Sequence, residues 1–222
     1  MHIGLIGGIG VAATVAYYQR ITAACTHAPD LTIVHADAQT LVRNNVADDR
    51  VAQAEIYAKL IDRLQAAGAD CVAITSLGGH FCYAETVERA SLPLISAVAP
   101  LDDHFRAEGY DTVGLLGTEV VMRTALYGQL QKTRALAPVA LQDVGDAYRN
   151  MAVAGHCSAD LAAYFVEEGR KLVDAGAEAV VLAGTDLNLA FDQCPADYPV
   201  IDALDVHVAV LVELAMGRRP LD

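Results

Sequence analysis

The chain is expected to fold as an α/β protein of two similar lobes, each a parallel sheet flanked by helices and related by a pseudo-two-fold axis. Three observations predict this. Short apolar, β-branched runs alternate with stretches of helical spacing, as they do when strands are covered on both faces. Two pairs of segments repeat across the 222 residues at nearly the same offset. No long Pro/Ser linker or low-complexity segment interrupts the chain.

Taken in order, His2–Ile6 is a strand that runs into the glycines of "GGIG", and Ala12–Cys25 follows with helical spacing. Leu31–Ala36 is the second strand, Ala47–Ala67 a long helix ending in Ala-Gly-Ala, and Cys71–Thr75 a wholly apolar third strand. The helix Tyr83–Ala90, the strand Leu94–Ser96 and the helix Ala97–Glu108 complete the first half. Thr112–Leu116 opens the second half. It is followed by helices Arg123–Lys132 and Ser158–Ala175, strands Ala179–Ala183 and Val200–Ile201, and a helix His207–Met216.

"GADCVAITS" at 68–76 matches "GAEAVVLAG" at 176–184, an offset of 108, and "IGLIGG" at 3–8 matches "VGLLGT" at 113–118, an offset of 110. Repeats of this size imply two units of one design. The expected lobes are 1–98 with 206–222 returning to it, and 99–205. Parallel strands present ligands to the loops at their carboxyl ends. The site is therefore expected between the lobes, with Gly7–Gly10 and Ser76–His80 on one side and Gly117–Thr118 and Gly184–Asp186 on the other.

A formal charge of −13 argues against nucleic acid or anionic lipid as a partner, since both need a basic surface. No run of about 18 uncharged apolar residues suggests a membrane span. "MHIGLIGGIG" lacks a basic leader region and reads as a strand entering a turn. The five cysteines, Cys25, Cys71, Cys82, Cys157 and Cys194, form neither CxxC nor zinc spacing, which predicts reduced thiols in a cytoplasmic protein. No metal is expected, because no His/Cys/carboxylate cluster has ligand spacing. No lysine stands at a strand end to serve pyridoxal phosphate, and no cofactor is expected. The apolar composition and strong negative charge fit a homodimer.

Several strings, in this order and spacing, resemble the aspartate/glutamate racemase superfamily over nearly the whole chain. They are "IGLIGGIGVAATVAYYQRI", "LQAAGADCVAITSLGGH", "LPLISAV", "VGLLGTEVVM", "AGAEAVVLAGTDL" and "YPVIDALDVH". The superfamily includes amino-acid and hydantoin racemases, maleate isomerases and arylmalonate decarboxylases. The resemblance implies cofactor-independent chemistry on a small carboxylate, with one thiol on each face of the substrate Cα. Members typically carry Cys-Asn-Thr-Ala-His at the first loop and Gly-Cys-Thr-Glu at the second. Counting back from His80 places Ser76 at the first cysteine, with Leu77, Gly78 and Gly79 behind it. Gly184 takes the second cysteine position, followed by Thr185 and Asp186. The internal repeat pairs Ser76 with Gly184 independently. Both thiols are replaced, so two-thiol racemisation is not expected.

Ser76, His80, Thr185 and Asp186 are the candidate catalytic residues. A serine hydroxyl needs an activating neighbour, and His80 has the right intrinsic pKa in the same loop. The alternative for His80 is a helix-start residue bonded to backbone. Asp186 either orients Thr185 or caps the next helix. Gly8, Gly10, Arg43, Leu77, Gly78, Gly79, Thr118 and Gly184 are the candidate substrate-binding residues. Gly8 and Gly10 either lie against the ligand or allow tight packing, and Gly7 is read as packing. Thr118 holds a carboxylate or caps a helix. Arg43, placed in the loop after the second strand, clamps a carboxylate or is a solvated surface residue. Cys82 and His207 read as structural. "GIGVAA" also fits the dinucleotide pattern GxGxxA, with Asp37 as a ribose ligand, but that reading gives the second-half motifs no role.

The expected function is racemase-like Cα proton transfer on an acidic amino acid or related small carboxylate, one-sided at the residues named, as in an epimerase or tautomerase that takes its second base from elsewhere. A lyase or decarboxylase of the same superfamily and a catalytically silent ligand-binding homologue are the alternatives.

Overall fold

The acid of each Gly-Ala-acid segment accepts hydrogen bonds from the first strand of its own half. Asp70 Oδ2 takes the His2 N–H at 2.8 Å, and Glu178 Oε2 takes those of Asp111 and Thr112 at 2.6 and 2.8 Å. The sequence repeat thus ties each long helix and its following strand to the start of a sheet. The computed structural model describes residues 1–221. Within it the chain divides into two compact units, Met1–Ala97 joined by the segment from His207 onward, and Val98–Val206.

The first unit contains β1 (His2–Gly7), α1 (Val11–Ala24), β2 (Asp30–His35), α2 (Ala38–Val46), α3 (Arg50–Ala66), β3 (Cys71–Ile74), a 3-10 turn (Leu77–Cys82), α4 (Tyr83–Val87) and β4 (Leu94–Ile95). Its strands are parallel in the order β2-β1-β3-β4, with Ile3 opposite Leu31 and Cys71. The second contains α5 (Leu101–Ala107), β5 (Thr112–Gly117), α6 (Glu119–Arg123), β6 (Arg134–Leu136), α7 (Leu141–Ala154), α8 (Ala159–Asp174), β7 (Ala179–Ala183), α9 (Asn188–Phe191) and β8 (Val200–Asp202). Its parallel order, β6-β5-β7-β8, has the same topology, with Val113 opposite Ala135 and Ala179. Helix α10 (Ala203–Ala215) runs from the second unit back into the first.

Every residue of β3 and β7 is buried, as central strands covered on both faces require. The helices before them end alike. Gly68 (φ 89°) and Gly176 (φ 103°) adopt the left-handed conformation after α3 and α8, where glycine carries no Cβ penalty. The N–H groups of Ala69 and Ala177 then close onto the Leu64 and Leu172 carbonyls at 3.0 and 2.9 Å. The central strands also begin alike, Val72 N–H bonding the Pro93 carbonyl and Val180 N–H that of Pro199, both at 2.9 Å.

The structure moves several expected elements. No helix covers Arg123–Lys132: α6 ends at Arg123, and Ala125, Leu126 and Tyr127 take φ values of 49°, 56° and 60°, which a right-handed helix cannot accommodate. Burial of the Leu126 side chain accompanies this turn. Helices α2 and α7 lie where no helix was expected, and Arg43 stands on α2 rather than in a loop. Helix α3 begins at Arg50, after Asp48 turns with φ 50° and Asp49 Oδ1 caps the Ala52 N–H at 3.1 Å.

Gly4 and Gly114 let those long helices lie directly on the sheets. A Cβ at Gly4 would fall 2.8 Å from Leu64 Cδ1, and one at Gly114 would fall 2.8 Å from Leu172 Cβ. The first obstacle is a movable side-chain end and the second is not. Gly114→Ala should therefore destabilise by about 1–3 kcal/mol in urea unfolding, and Gly4→Ala by less. Equal costs would show that the leucine side chains cannot relax differently.

Candidate functional site

The two strand-end turns are built separately within their units. In the first, Thr75 fixes the end of β3: its N–H and hydroxyl both donate to the Ile6 carbonyl, at 3.0 and 3.1 Å, and its hydroxyl lies 2.8 Å from that of Thr14. Ser76 follows with an extended backbone and begins the 3-10 turn without a side-chain cap bond.

His80 secures this turn. Its Nε2 accepts the Ala97 N–H at 3.0 Å, so Nδ1 carries the proton and donates to the Ser76 carbonyl at 2.9 Å. The ring stacks on Tyr83 at 5.6 Å, and the edge of His207 meets it at 6.4 Å. Burial pushes the imidazole down to about 4, partly offset by the bond to Ser76. Both ring nitrogens are thus engaged by backbone, and the geometry does not pair His80 with the Ser76 hydroxyl. His207, fully buried, holds the Tyr17 hydroxyl at 2.7 Å through Nδ1. Burial first, then neighbouring His80, pushes it down to about 3.

Leu77, Gly78 and Gly79 are buried in the turn. The Gly78 carbonyl accepts from Asn45 Nδ2 at 3.0 Å. A Cβ at Gly79 would lie 2.6 Å from the Tyr57 hydroxyl, so the glycine admits that phenol. Tyr57 ends a buried chain in which Asn44 donates to Gln53 and Gln53 to Tyr57, at 3.1 and 3.0 Å. Gly8 packs where a Cβ would strike Leu41 and Ala36, and Gly10 precedes α1 and accepts the Thr14 N–H at 3.3 Å. Arg43 is exposed. Asp37 caps α2 through the Thr40 N–H at 2.9 Å, and the Thr40 side chain first, then that N–H, hold its carboxyl below the usual range. Cys82 packs inward against Gly79 and Thr86, and burial raises its thiol to about 11, so it offers no thiolate.

In the second unit Thr118 caps α6 through the Val121 N–H at 3.3 Å. Gly184 follows β7, and a Cβ there would fall 2.4 Å from Tyr148 Cε2 and 2.5 Å from Cζ. The Tyr148 ring occupies the place of a residue-184 side chain. Its phenol donates to Asp186 Oδ2 at 3.3 Å, and the Thr185 side chain also hydrogen-bonds it. Burial, reinforced by the Asp186 charge, holds the phenol's pKa well above its ordinary value. Helix α9 begins after Leu187, and the Asp186 carbonyl accepts the Leu189 N–H at 3.1 Å. Tyr148 comes from α7, which approaches closely because Gly145 lies against Glu119: a Cβ at Gly145 would sit 2.8 Å from the Glu119 nitrogen.

Sequence reasoning missed Tyr148, Tyr57 and Asn45. The spacing of Val144, Tyr148, Met151 and Ala152 marks the buried face of α7 and was the signal available for the first. Among the described residues no group of three or more His, Cys, Asp or Glu side chains could hold a metal ion, and no helix is long and apolar enough to cross a membrane.

This α/β architecture has counterparts among known proteins. The chain belongs to the Asp/Glu/hydantoin racemase family, which it matches over residues 6–211. It is similar to a Yersinia pestis structure provisionally described as an Asp/Glu racemase, with 21% identity, coverage of 97% of this chain and 100% of the other, and a TM-score of 0.78. An aspartate racemase homologue from Pyrococcus horikoshii shares 22% identity over 96% and 98% of the two chains, with a TM-score of 0.76. More distantly, a liganded double mutant of arylmalonate decarboxylase, glycine to cysteine and cysteine to serine, shares 18% identity over 99% and 95%, with a TM-score of 0.57. Among curated sequences none matches the chain.

The two buried histidines make an acid-stability prediction. Each is held neutral when folded, at about 4 for His80 and about 3 for His207, and regains its ordinary value near 6.5 on unfolding. The unfolded chain then binds more protons below pH 6.5, so their contribution is complete above that pH and is lost as pH falls toward 4 and 3. By pH 5 the pair should cost on the order of 4 kcal/mol relative to neutral pH. Urea unfolding at pH 7 and pH 5 should show this loss, reduced by about half in His207→Gln. A wild-type stability unchanged between these pH values would contradict the buried, neutral assignment.

Proposed function

We propose that the protein is a cofactor-independent enzyme of this family that acts on a small carboxylate by proton transfer at Cα without using thiols. The observation that carries this reading is the set of polar side chains held at equivalent strand ends. Ser76 after β3 is 7% exposed, and Thr185 and Asp186 after β7 are each 1% exposed. Burying such groups costs free energy that packing alone does not require. In the second unit Asp186, with Thr185 beside it, accepts and returns the proton, and in the first unit Ser76 offers a hydroxyl able to donate to a carboxylate. His80 acts through the turn, holding Ser76 in place by its carbonyl. Proton transfer through one carboxylate returns the proton to the face it left, giving exchange without inversion.

A second reading, lyase or decarboxylase chemistry, is favoured by the Tyr148 phenol, which stays protonated beside Asp186. A carbanion produced by loss of carbon dioxide needs one proton and no strong base.

The test is incubation in deuterium oxide with amino acids, hydroxy acids and Cα-substituted malonates, following Cα deuteration, optical configuration and carbon dioxide release. Deuteration with retained configuration is expected, with negligible racemisation of aspartate and glutamate. Racemisation at about 1 per second or faster would overturn the one-sided reading. Carbon dioxide release would establish the lyase reading instead. Ligand-induced thermal shifts without either reaction would identify a silent binding protein.

A further inference from the structure

Gly184 and Tyr148 cannot be understood one at a time. A real Cβ essentially never approaches another heavy atom within 3.0 Å, yet one at residue 184 would meet three Tyr148 ring atoms at 2.4, 2.5 and 3.0 Å. The ring is not a loose side-chain end that could swing aside cheaply. It is buried, its hydroxyl is tied to Asp186 and Thr185, and its helix is drawn close through Gly145. Gly184 therefore supplies space and Tyr148 fills it.

We propose that Tyr148 and Gly184 form one functional unit: the ring takes the volume in which a residue-184 side chain would project, and the phenol positions the Asp186 carboxylate for proton transfer. Tyr148 is a positioning residue that acts through Asp186. The chemical half of this inference rests on the proposed function, whereas the packing half stands independently. The phenol donates to Asp186 Oδ2 and so fixes the orientation of the carboxylate it holds. Phenylalanine fills the volume without the donor, and a smaller hydroxyl residue leaves the volume empty.

Two measurements test the two halves. The first is a thermal double-mutant cycle on the full chain. Gly184→Cys and Tyr148→Ala should each lower Tm, one by a clash and the other by a cavity, while the double variant should be no less stable than Tyr148→Ala alone. The thiol introduced by Gly184→Cys should also form only with displacement of the ring. Additive losses in the cycle would overturn the packing half.

The second uses Tyr148→Phe, which keeps the ring. Deuterium exchange should slow about tenfold in kcat with KM changed less than about threefold, as loss of a hydrogen bond to a charged group predicts. The acid limb of the pH profile should move up, because a carboxylate that loses a donor loses support for its charged form. A purely structural role would leave that limb in place, and an unmoved limb overturns the positioning role. If the wild type shows no exchange with any carboxylate, the proposed function and its positioning half fall together, and the thermal cycle alone decides the pair.

Discussion

At the end of β7 a glycine yields its side-chain space to an aromatic ring, and the character of the second turn depends on that contact. The ring reaches Gly184 from α7, on a residue 38 positions before the Asp186 it also holds. Burying a tyrosine removes a large apolar area from water, but the phenol must keep a partner. Asp186 and Thr185 provide it, so packing and polarity are satisfied by one side chain. The consequence is a turn with no side chain at residue 184 and a buried carboxylate held by a phenol.

The first turn reaches a comparable rigidity by other means. His80 bridges the Ser76 carbonyl and the Ala97 N–H, while Asn45 holds the Gly78 carbonyl and Gly79 makes room for the Tyr57 hydroxyl. An imidazole with both nitrogens committed to backbone is a strut, and its lowered pKa is the cost of burying a titratable group for that purpose. Equivalent strands β3 and β7 thus end in turns held by different side chains, each of which fixes backbone and leaves short polar groups, Ser76 in one and Thr185 with Asp186 in the other, at the strand end. Catalysis benefits from groups that need not reorganise when charge develops.

Much of the fold was legible because the features that encode it are local. Gly-Ala-acid states a left-handed glycine after a helix and an acid that bonds the first strand, and both copies do so with Gly68, Asp70, Gly176 and Glu178. The apolar runs of β3 and β7 announce burial on two faces. Where local signals were mixed, the reading failed: Gly145 and two aspartates obscured the spacing of α7, and the helical composition of 123–132 concealed a run of left-handed residues stabilised by tertiary packing. The site was legible as a list of strand-end residues but not as an arrangement. That His80 reaches the Ala97 N–H and that a distant tyrosine covers Gly184 are long-range facts, whereas the helix that carries Arg43 is local and was overlooked. The glycine at 184 was visible as a missing thiol; what had taken its place was not.

The central claim is that Gly184 is required by the ring of Tyr148. A crystal structure of the Gly184→Cys variant tests it most directly. The account predicts that the Tyr148 ring leaves its place over β7 and gives up its bond to Asp186. A structure in which the new side chain and an unmoved Tyr148 ring, still bonded to Asp186, stand together would contradict it.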